Sequence, residues 1–314
     1  MTLLDKIPNL RLERNASLRN YTRFGLGGPA ALLADAPDEE SFLSAHRAIG
    51  ESGLPMEVIG GGSNLVVADT GFDGVVLRYT ENRLTRENET VVAGAGAELQ
   101  SLVDFSINEG LSGLHTMTGI PGWVGGAVYG NAGAYGRQMD QNVTVVRFFD
   151  GSQIRELDNA ACDFRYRESA FKDNKKWVVF SATFLLTQGN AGELQNKAAE
   201  IRAVRDAKYP PTMKCAGSIF KNLIFAELPS SVQVQVDPAK VIHGKVPSAY
   251  FLELVGAKGM KNGDIHVADY HANLIYNAGN GTALQVRQII TDLKARVKAR
   301  FGLAVQEEVQ YIGF

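Results

Sequence analysis

Gly119-Ile120-Pro121-Gly122-Trp123-Val124-Gly125-Gly126-Ala127-Val128-Tyr129-Gly130-Asn131-Ala132-Gly133-Ala134-Tyr135-Gly136 is the stretch on which the reading of this chain turns. Glycines stand at 119, 122, 125, 126, 130, 133 and 136. An ordinary helix or strand tolerates so many poorly, since each costs roughly 0.5–1 kcal/mol relative to alanine. Ile120, Pro121, Val124, Val128 and the two tyrosines separate the run from a flexible linker, which is polar and Ser-rich. Glycine mixed with apolar residues marks backbone that approaches something closely and stays ordered. A flat or anionic ligand asks for that, because glycine frees φ and bares N–H donors. On this stretch alone, a tightly packed, turn-rich structural segment is the other reading.

A second glycine cluster lies upstream. Residues 56–59 read as a short strand running into Gly60-Gly61-Gly62-Ser63-Asn64, which presents bare N–H groups and two side-chain donors suited to a phosphate. The run lacks the lysine and spacing of GxxxxGK[ST], which disfavours a P-loop nucleotide hydrolase. The residues after Ser63 read as a strand rather than a helix, so the Rossmann fingerprint also fails. A glycine-rich hairpin turn is the competing reading.

Composition sets the outer bounds. The chain has 314 residues, 45% of them hydrophobic and 21% charged, with 32 basic against 34 acidic side chains. That describes an ordinary globular protein of two or three domains with no basic face for nucleic acid. No run of roughly 20 apolar residues spans a membrane, and no signal-peptide core opens the chain. Cys162 and Cys215 are the only cysteines and read as plain thiols of a reducing cytoplasm. No cluster of His, Cys, Asp and Glu has metal-ligand spacing, so no metal is expected.

The elements alternate in type along the chain. Residues 1–20 read as a helical or irregular lead-in, followed by a turn over 21–29 and a strand over 30–34. Asp38 caps a helix to about Glu51, and residues 65–67 and 75–77 are strands. A strand over 90–93 leads to a helix over 98–108 that Gly110 ends. Residues 143–149 and 153–156 form a hairpin, and 177–186 is a strand. A helix over 192–208 stops at Pro210 and Pro211. Residues 216–222 read as a turn into a strand, 248–255 as a short helix and 266–277 as two strands. The helix over 283–300 is the clearest of all, and 303–309 closes the chain as a strand returning to an earlier domain.

Seven motifs now stand in order: Arg23-Phe24-Gly25-Leu26-Gly27-Gly28, the cluster at 60–64, the run at 119–136, Tyr166-Arg167-Glu168-Ser169, Ala216-Gly217-Ser218-Ile219-Phe220-Lys221-Asn222, His271-Ala272-Asn273 and Glu308-Val309. Together, over nearly the whole chain, they resemble the UDP-N-acetylenolpyruvoylglucosamine reductases. The resemblance implies an α+β protein with a vanillyl-alcohol-oxidase-type FAD-binding fold. Residues 1–80, joined by a C-terminal strand within 301–314, would form one α+β subdomain and 81–207 the second. Residues 208–300 would form an α+β substrate-binding domain.

The implied activity is reduction of UDP-N-acetylglucosamine enolpyruvate to UDP-N-acetylmuramate, a peptidoglycan precursor, with NADPH as donor and non-covalent FAD as carrier. Neither a nucleic acid, a membrane nor an obligate protein partner is expected. Arg167 and Glu308 would stabilise charge on the substrate carboxylate, and Ser218 would donate the proton. Arg23, Gly60, Gly61, Gly62, Ser63, Asn64, Gly94, Gly96, Thr118, Gly119, Ile120, Pro121, Gly122, Gly125, Gly126, Asn131 and Gly133 would hold the cofactor. Tyr166, Lys208, Lys221 and Asn222 would hold the substrate. Without the resemblance, Arg167 reads as a surface ion-pair residue, Glu308 as a strand-edge carboxylate, Ser218 as a turn residue and His271 as structural.

Three departures stand out. Trp123 replaces a small residue, Leu223 replaces proline, and the stretch between Phe184 and Lys208 lacks a tyrosine-bearing insertion, as in the compact form of the family. A flavin oxidase acting with oxygen and a non-catalytic binding module are the competing readings. Against the first, no His or Cys that could tether FAD sits at 60–64 or 119–136.

Overall fold

Asp38 accepts the Ser41 N–H at 2.7 Å and starts the helix Glu39–Ser52, and Gly53 at φ 68° ends it in the left-handed conformation. Such local chemistry places most elements where the sequence does. The computed structural model describes residues 3–314. Compactness divides the chain into two units. The first comprises Met1–Ala16, Ala30–Gly62 and Asp73–Pro211, and the second Ser17–Pro29, Ser63–Phe72 and Thr212–Phe314.

In the first unit, Met56–Val58 pairs parallel with Phe72–Tyr79 at the edge of a four-stranded sheet that continues through Pro29–Ala36 to Arg11–Ser17. A five-stranded antiparallel sheet runs in the order Ile154–Asp158, Val143–Phe149, Val178–Leu185, Thr90–Gly94 and Leu84–Glu87. Its hairpin turns at Asp150, whose carboxylate accepts from Ser152 N and Gln153 N, both at 2.8 Å. One aromatic cluster joins the two sheets. Phe42 of the Glu39–Ser52 helix packs edge-on to Phe180 at 5.2 Å, and Tyr79 meets Phe180 at 4.5 Å. Such pairs add about 0.5–1.5 kcal/mol each beyond their area.

In the second unit, Lys214–Ser218, His271–Asn277, Ile265–Ala268 and Lys261–Asn262 form an antiparallel sheet in that order. The helix Ala283–Phe301 opens with a capping box of Thr282 and Gln285 and buries Val286, Ile289, Ile290, Leu293 and Val297. Asp69 accepts from Ala283 N at 2.8 Å and Leu284 N at 3.0 Å, so the first turn is capped twice.

Four expectations change. The lead-in holds a strand, Arg11–Ser17, with little apolar alternation because it is a charged edge strand, a device that blunts unpaired sheet edges. The 216–222 motif begins inside a strand, Lys214–Ser218, before its turn leads into the short strand Leu223–Ile224. The closing ladder strand is Gln310–Ile312, parallel to Leu65–Val67. Residues 303–309 keep an alternating burial pattern but meet a loop instead of a strand, through the Phe220–Glu307 bridge.

The fourth change concerns the glycine run, which contains a helix, Val124–Tyr129. Close packing requires the first of the helix's two glycines, Gly125. Val124 N donates to Ala97 O at 2.8 Å and Gly125 N to Ala95 O at 2.9 Å. A Cβ at Gly125 would stand 2.9 Å from the Ala95 Cβ, whereas one at Gly126 meets nothing within 4 Å. Gly125→Ala is therefore expected to destabilise the ligand-free protein by about 1–3 kcal/mol. Gly126→Ala should be neutral or stabilising by up to about 1 kcal/mol. Thermal melts of the two variants check this, and equal shifts in Tm would contradict it.

Candidate active site

The first unit brings the two glycine clusters together through Trp123. A Cβ at Gly61 would lie 2.8 Å from Trp123 Cδ1, and one at Gly60 3.9 Å from the same indole. The Arg78 guanidinium stands 5.3 Å from the centroid of the Trp123 ring and is itself held by Asp35 through two hydrogen bonds of 2.6 Å. Among the described residues, no protein group accepts from the N–H of Gly60, Gly61, Gly62, Gly122 or Gly126.

Other glycines of the expected set serve the fold. Gly94 N donates to Arg83 O and Gly96 N to Glu81 O, and a Cβ at either would collide with Thr80 or Glu81. Gly119 N donates to Gln100 Oε1 at 2.7 Å, while Thr118 directs both its N–H and its hydroxyl to His115 O. Ile120 N donates to Met117 O, and Pro121 has no N–H to offer.

Arg167 adopts φ 60°, uncommon for a side-chain-bearing residue. Its Nη2 donates to Gly133 O at 3.0 Å and its Nη1 to Asn131 O at 3.5 Å, and the Tyr166 ring lies 5.3 Å from its guanidinium carbon. Asn131 is fully buried. Its amide donates to Asp140 Oδ2 and Arg165 O and accepts from Asp140 N, so its side chain braces the Arg167 turn rather than facing a cofactor.

The helix Ala191–Lys208 sets Arg202, Arg205 and Lys208 one turn apart. A Cβ at Gly119 would lie 3.1 Å from Arg205 Nε and 3.4 Å from Arg202 Nη1. Desolvation of the Lys208 ammonium, although the residue is exposed overall, and then the like charge of Arg205 lower its pKa. Arg202 and Arg205 escaped the sequence reading because basic residues on a helix ordinarily form a solvated face. His115 and Thr116 were missed as well: His115 Nδ1 and Thr116 Oγ1 are buried with no partner among the described residues. No sequence signal distinguishes them.

In the second unit, Ser218 ends a strand at a bulge, with Gly217 at φ 76° and Ser218 paired to Leu274. Glu308 N donates to Ile219 O at 2.7 Å, which places Glu308 beside the residue that follows Ser218. Asn64 Nδ2 donates to Glu308 O at 2.9 Å, and Gln310 N to Asn64 O at 2.9 Å. The Asn64 amide, expected to serve the cofactor, thus anchors the Glu308 backbone. Lys221 N donates to Gln306 O, and the Asn222 side-chain Oδ1 accepts from Ser248 N at 3.3 Å. Arg23 sits in a turn closed by Gly25 N to Thr22 O, and Ser63 precedes the strand Leu65–Val67. Ser218 and Glu308 are thus brought together within one unit, while Arg167 belongs to the other.

Residues 209–312 match the family model for the UDP-N-acetylenolpyruvoylglucosamine reductase C-terminal domain, and residues 30–153 match an FAD-binding domain. The chain is 56% identical over 307 residues to the UDP-N-acetylenolpyruvoylglucosamine reductase of Solibacter usitatus, covering 98% of each. It belongs to that family. A second relative, from Rubrobacter xylanophilus, is 33% identical over 94% of this chain and 93% of its own length. The crystal structure of UDP-N-acetylenolpyruvylglucosamine reductase from Thermus caldophilus superposes with TM-score 0.75 at 28% identity, covering 96% of this chain and 99% of its own. This reductase-family chain is a flavin-dependent oxidoreductase of α+β class, and FAD is its cofactor.

The residues present fit that cofactor. Bare N–H groups at Gly60, Gly61, Gly62, Gly122 and Gly126, with the Trp123 indole against Gly60 and Gly61, are a neutral donor set for an anionic diphosphate. The family departure at Trp123 is accommodated because Gly61 lacks a side chain. Leu223 pairs with Val246 in a two-stranded ladder. Among the described residues no group of three or more His, Cys, Asp and Glu is gathered for a metal, and no helix is long and apolar enough to cross a membrane.

Trp123 and Trp177 are the only indoles. In a Trp177→Phe chain, titrating FAD into ligand-free protein should quench most of the remaining emission. Unchanged emission alongside a bound-flavin absorbance would place the cofactor away from Trp123.

Proposed function

We propose that this chain reduces UDP-N-acetylglucosamine enolpyruvate to UDP-N-acetylmuramate in the cytoplasmic assembly of the peptidoglycan precursor, with NADPH as electron donor. Full-length identity of 56% to a reductase of that name carries the reading. The presence here of Arg167, Ser218 and Glu308 supports it. Bound FAD would supply the hydride-transfer chemistry between NADPH and the enolpyruvyl double bond. Gly60, Gly61, Gly62, Gly122 and Gly126 would hold the cofactor by backbone donation, with Ser63 and Arg23 as side-chain partners. In this reading residues 208–300 bind the substrate, and the segments 1–80 and 81–207 bind FAD.

The chain's own groups then manage charge and one proton. Addition of hydride to the terminal vinyl carbon drives negative charge into the substrate carboxylate. Arg167, fixed by the carbonyls of Asn131 and Gly133, is a cation that need not reorganise as that charge develops. Glu308, with its backbone tied at both N–H and carbonyl, supplies a hydrogen-bonding acid. Ser218 delivers a proton to the adjacent carbon. Lys208, Lys221 and Asn222 grip the diphosphate of the nucleotide, and Tyr166 lines the pocket. A diphosphate would also neutralise the crowded Arg205–Lys208 cations, which is the electrostatic reason to expect one there.

Both cysteines are buried, and desolvation, then Asp158, pushes the Cys162 thiol up to about 12, so Cys162 is no reactive thiolate for tethering flavin.

In anaerobic stopped-flow experiments, Ser218→Ala should be reduced by NADPH at the wild-type rate, while reoxidation by the enolpyruvyl substrate slows by about 10²–10⁴-fold. Glu308→Gln should slow the same half-reaction by about 10²-fold. Wild-type reoxidation in either variant would remove that residue from its role.

A further inference from the structure

The reaction as read above leaves Asn273 and Ser248 without a task, yet both are buried and joined in one hydrogen-bonded group. Ser248 is fully buried and Asn273 is 2% exposed. The Asn273 amide addresses both backbone polar groups of one residue, Phe220. Its Oδ1 accepts from Phe220 N at 2.9 Å and its Nδ2 donates to Phe220 O at 2.8 Å. Nδ2 also donates to Ser248 Oγ at 2.7 Å, and that hydroxyl donates onward to Phe220 O at 3.2 Å. The Asn273 backbone takes part too: its carbonyl accepts from Ile219 N at 3.1 Å, and its N–H donates to His271 Nδ1 at 3.1 Å.

Phe220 lies among the second-unit groups that the reductase reading employs. Ser218 is two residues before it, and Asn222 is two residues after it, held by Ser248 N. Glu308 is bonded to Ile219 O, and Glu307 bridges Phe220 itself. A segment between a strand end and a two-residue ladder would otherwise be a loop with soft φ and ψ. Here it is fixed by a side chain that a strand presents from its buried face. Burying an amide and a hydroxyl is costly unless every donor and acceptor is met. Apolar side chains would fill the same space without that requirement, so the polar pair marks a need for direction rather than volume.

We propose that Asn273 is a positioning residue for the reduction: its amide clamps the Phe220 peptide, and with Ser248 it sets Ser218, Asn222 and Glu308 in their working register. The proposal rests on the reductase reading for the roles of those residues, while the clamp itself rests on geometry alone.

Two variants test it in the FAD-loaded full chain. Asn273→Asp keeps the size and the acceptor for Phe220 N but sets a second oxygen against Phe220 O. Ser248→Ala removes only the hydroxyl, and it decides the matter should the first variant fail to fold. At a temperature where FAD content matches wild type, NADPH should reduce the flavin of both variants at the wild-type rate. Reoxidation by UDP-N-acetylglucosamine enolpyruvate should fall about 100-fold in Asn273→Asp and about tenfold in Ser248→Ala, the scale expected for a displaced catalytic group. Hydrogen exchange of a peptide spanning 218–222 should accelerate while that of the Ala283–Phe301 helix stays unchanged.

Equal slowing of both half-reactions would mean a merely structural role and overturn the proposal. So would reoxidation within about twofold of wild type, the scatter within which two such rates are equal, or unaltered exchange at 218–222. The exchange measurement needs no substrate. It therefore judges the clamp even if wild type itself failed to reoxidise, an outcome that would sink the reductase reading instead.

Discussion

The close approach of Gly125 to Ala95 is the constraint on which the cofactor half of this molecule depends. Two backbone hydrogen bonds, Val124 N to Ala97 O and Gly125 N to Ala95 O, seat a short helix directly on the end of a strand. No side chain fits between them. Because the helix sits there, Gly122 and Trp123 occupy one place only, and the indole lies across Gly61 with Arg78 over it. Two glycine clusters far apart in sequence thereby meet at Trp123. Glycine at 125 and 61 is a packing requirement, whereas glycine at 126 is open space available to a ligand.

The two units are stabilised by different means. The first relies on aromatic and aliphatic burial, with Phe42, Tyr79, Phe149 and Phe180 in mutual contact between its sheets. Its Arg167 is held by backbone carbonyls of the glycine run, with Asn131 bracing the turn. The second unit carries the segment proposed for proton delivery on a polar scaffold. Asn64 grips one side of Glu308, Ile219 the other, and Asn273 fixes the peptide between Ser218 and Asn222. Non-directional packing suffices to build a platform for a cofactor. Groups that must meet a reacting carbon within a fraction of an ångström need directional bonds.

Much of this was legible in the sequence. Caps at Asp38 and Gly53, the stop at Gly110, the hairpin at Asp150-Gly151 and the apolar stripe of the Ala283–Phe301 helix are local signals, and local signals are what a sequence displays. The chemistry of the site was legible only as a set of motifs in order, since Arg167, Ser218 and Glu308 are each ordinary residues taken singly. What stayed hidden depends on distant partners. The strand Arg11–Ser17 has too few apolar residues to betray itself, because it lies at a sheet edge. The Gly94 and Gly96 N–H groups looked available until Arg83 and Glu81 accepted them. Asn64 and Asn131 stood in cofactor motifs but turn their amides to protein backbone, a choice that depends on residues 244 and 34 positions away. The closing alternation at 303–309 was read as a ladder strand because period two cannot tell a strand partner from a loop.

The central claim is that electrons pass from NADPH through bound FAD to an enolpyruvyl nucleotide. An anaerobic visible spectrum of the purified protein tests it most directly. The account predicts a yellow protein that NADPH bleaches and that UDP-N-acetylglucosamine enolpyruvate restores without oxygen. A bleached flavin that recovers only when air is admitted, or a protein that takes up no FAD, would contradict it.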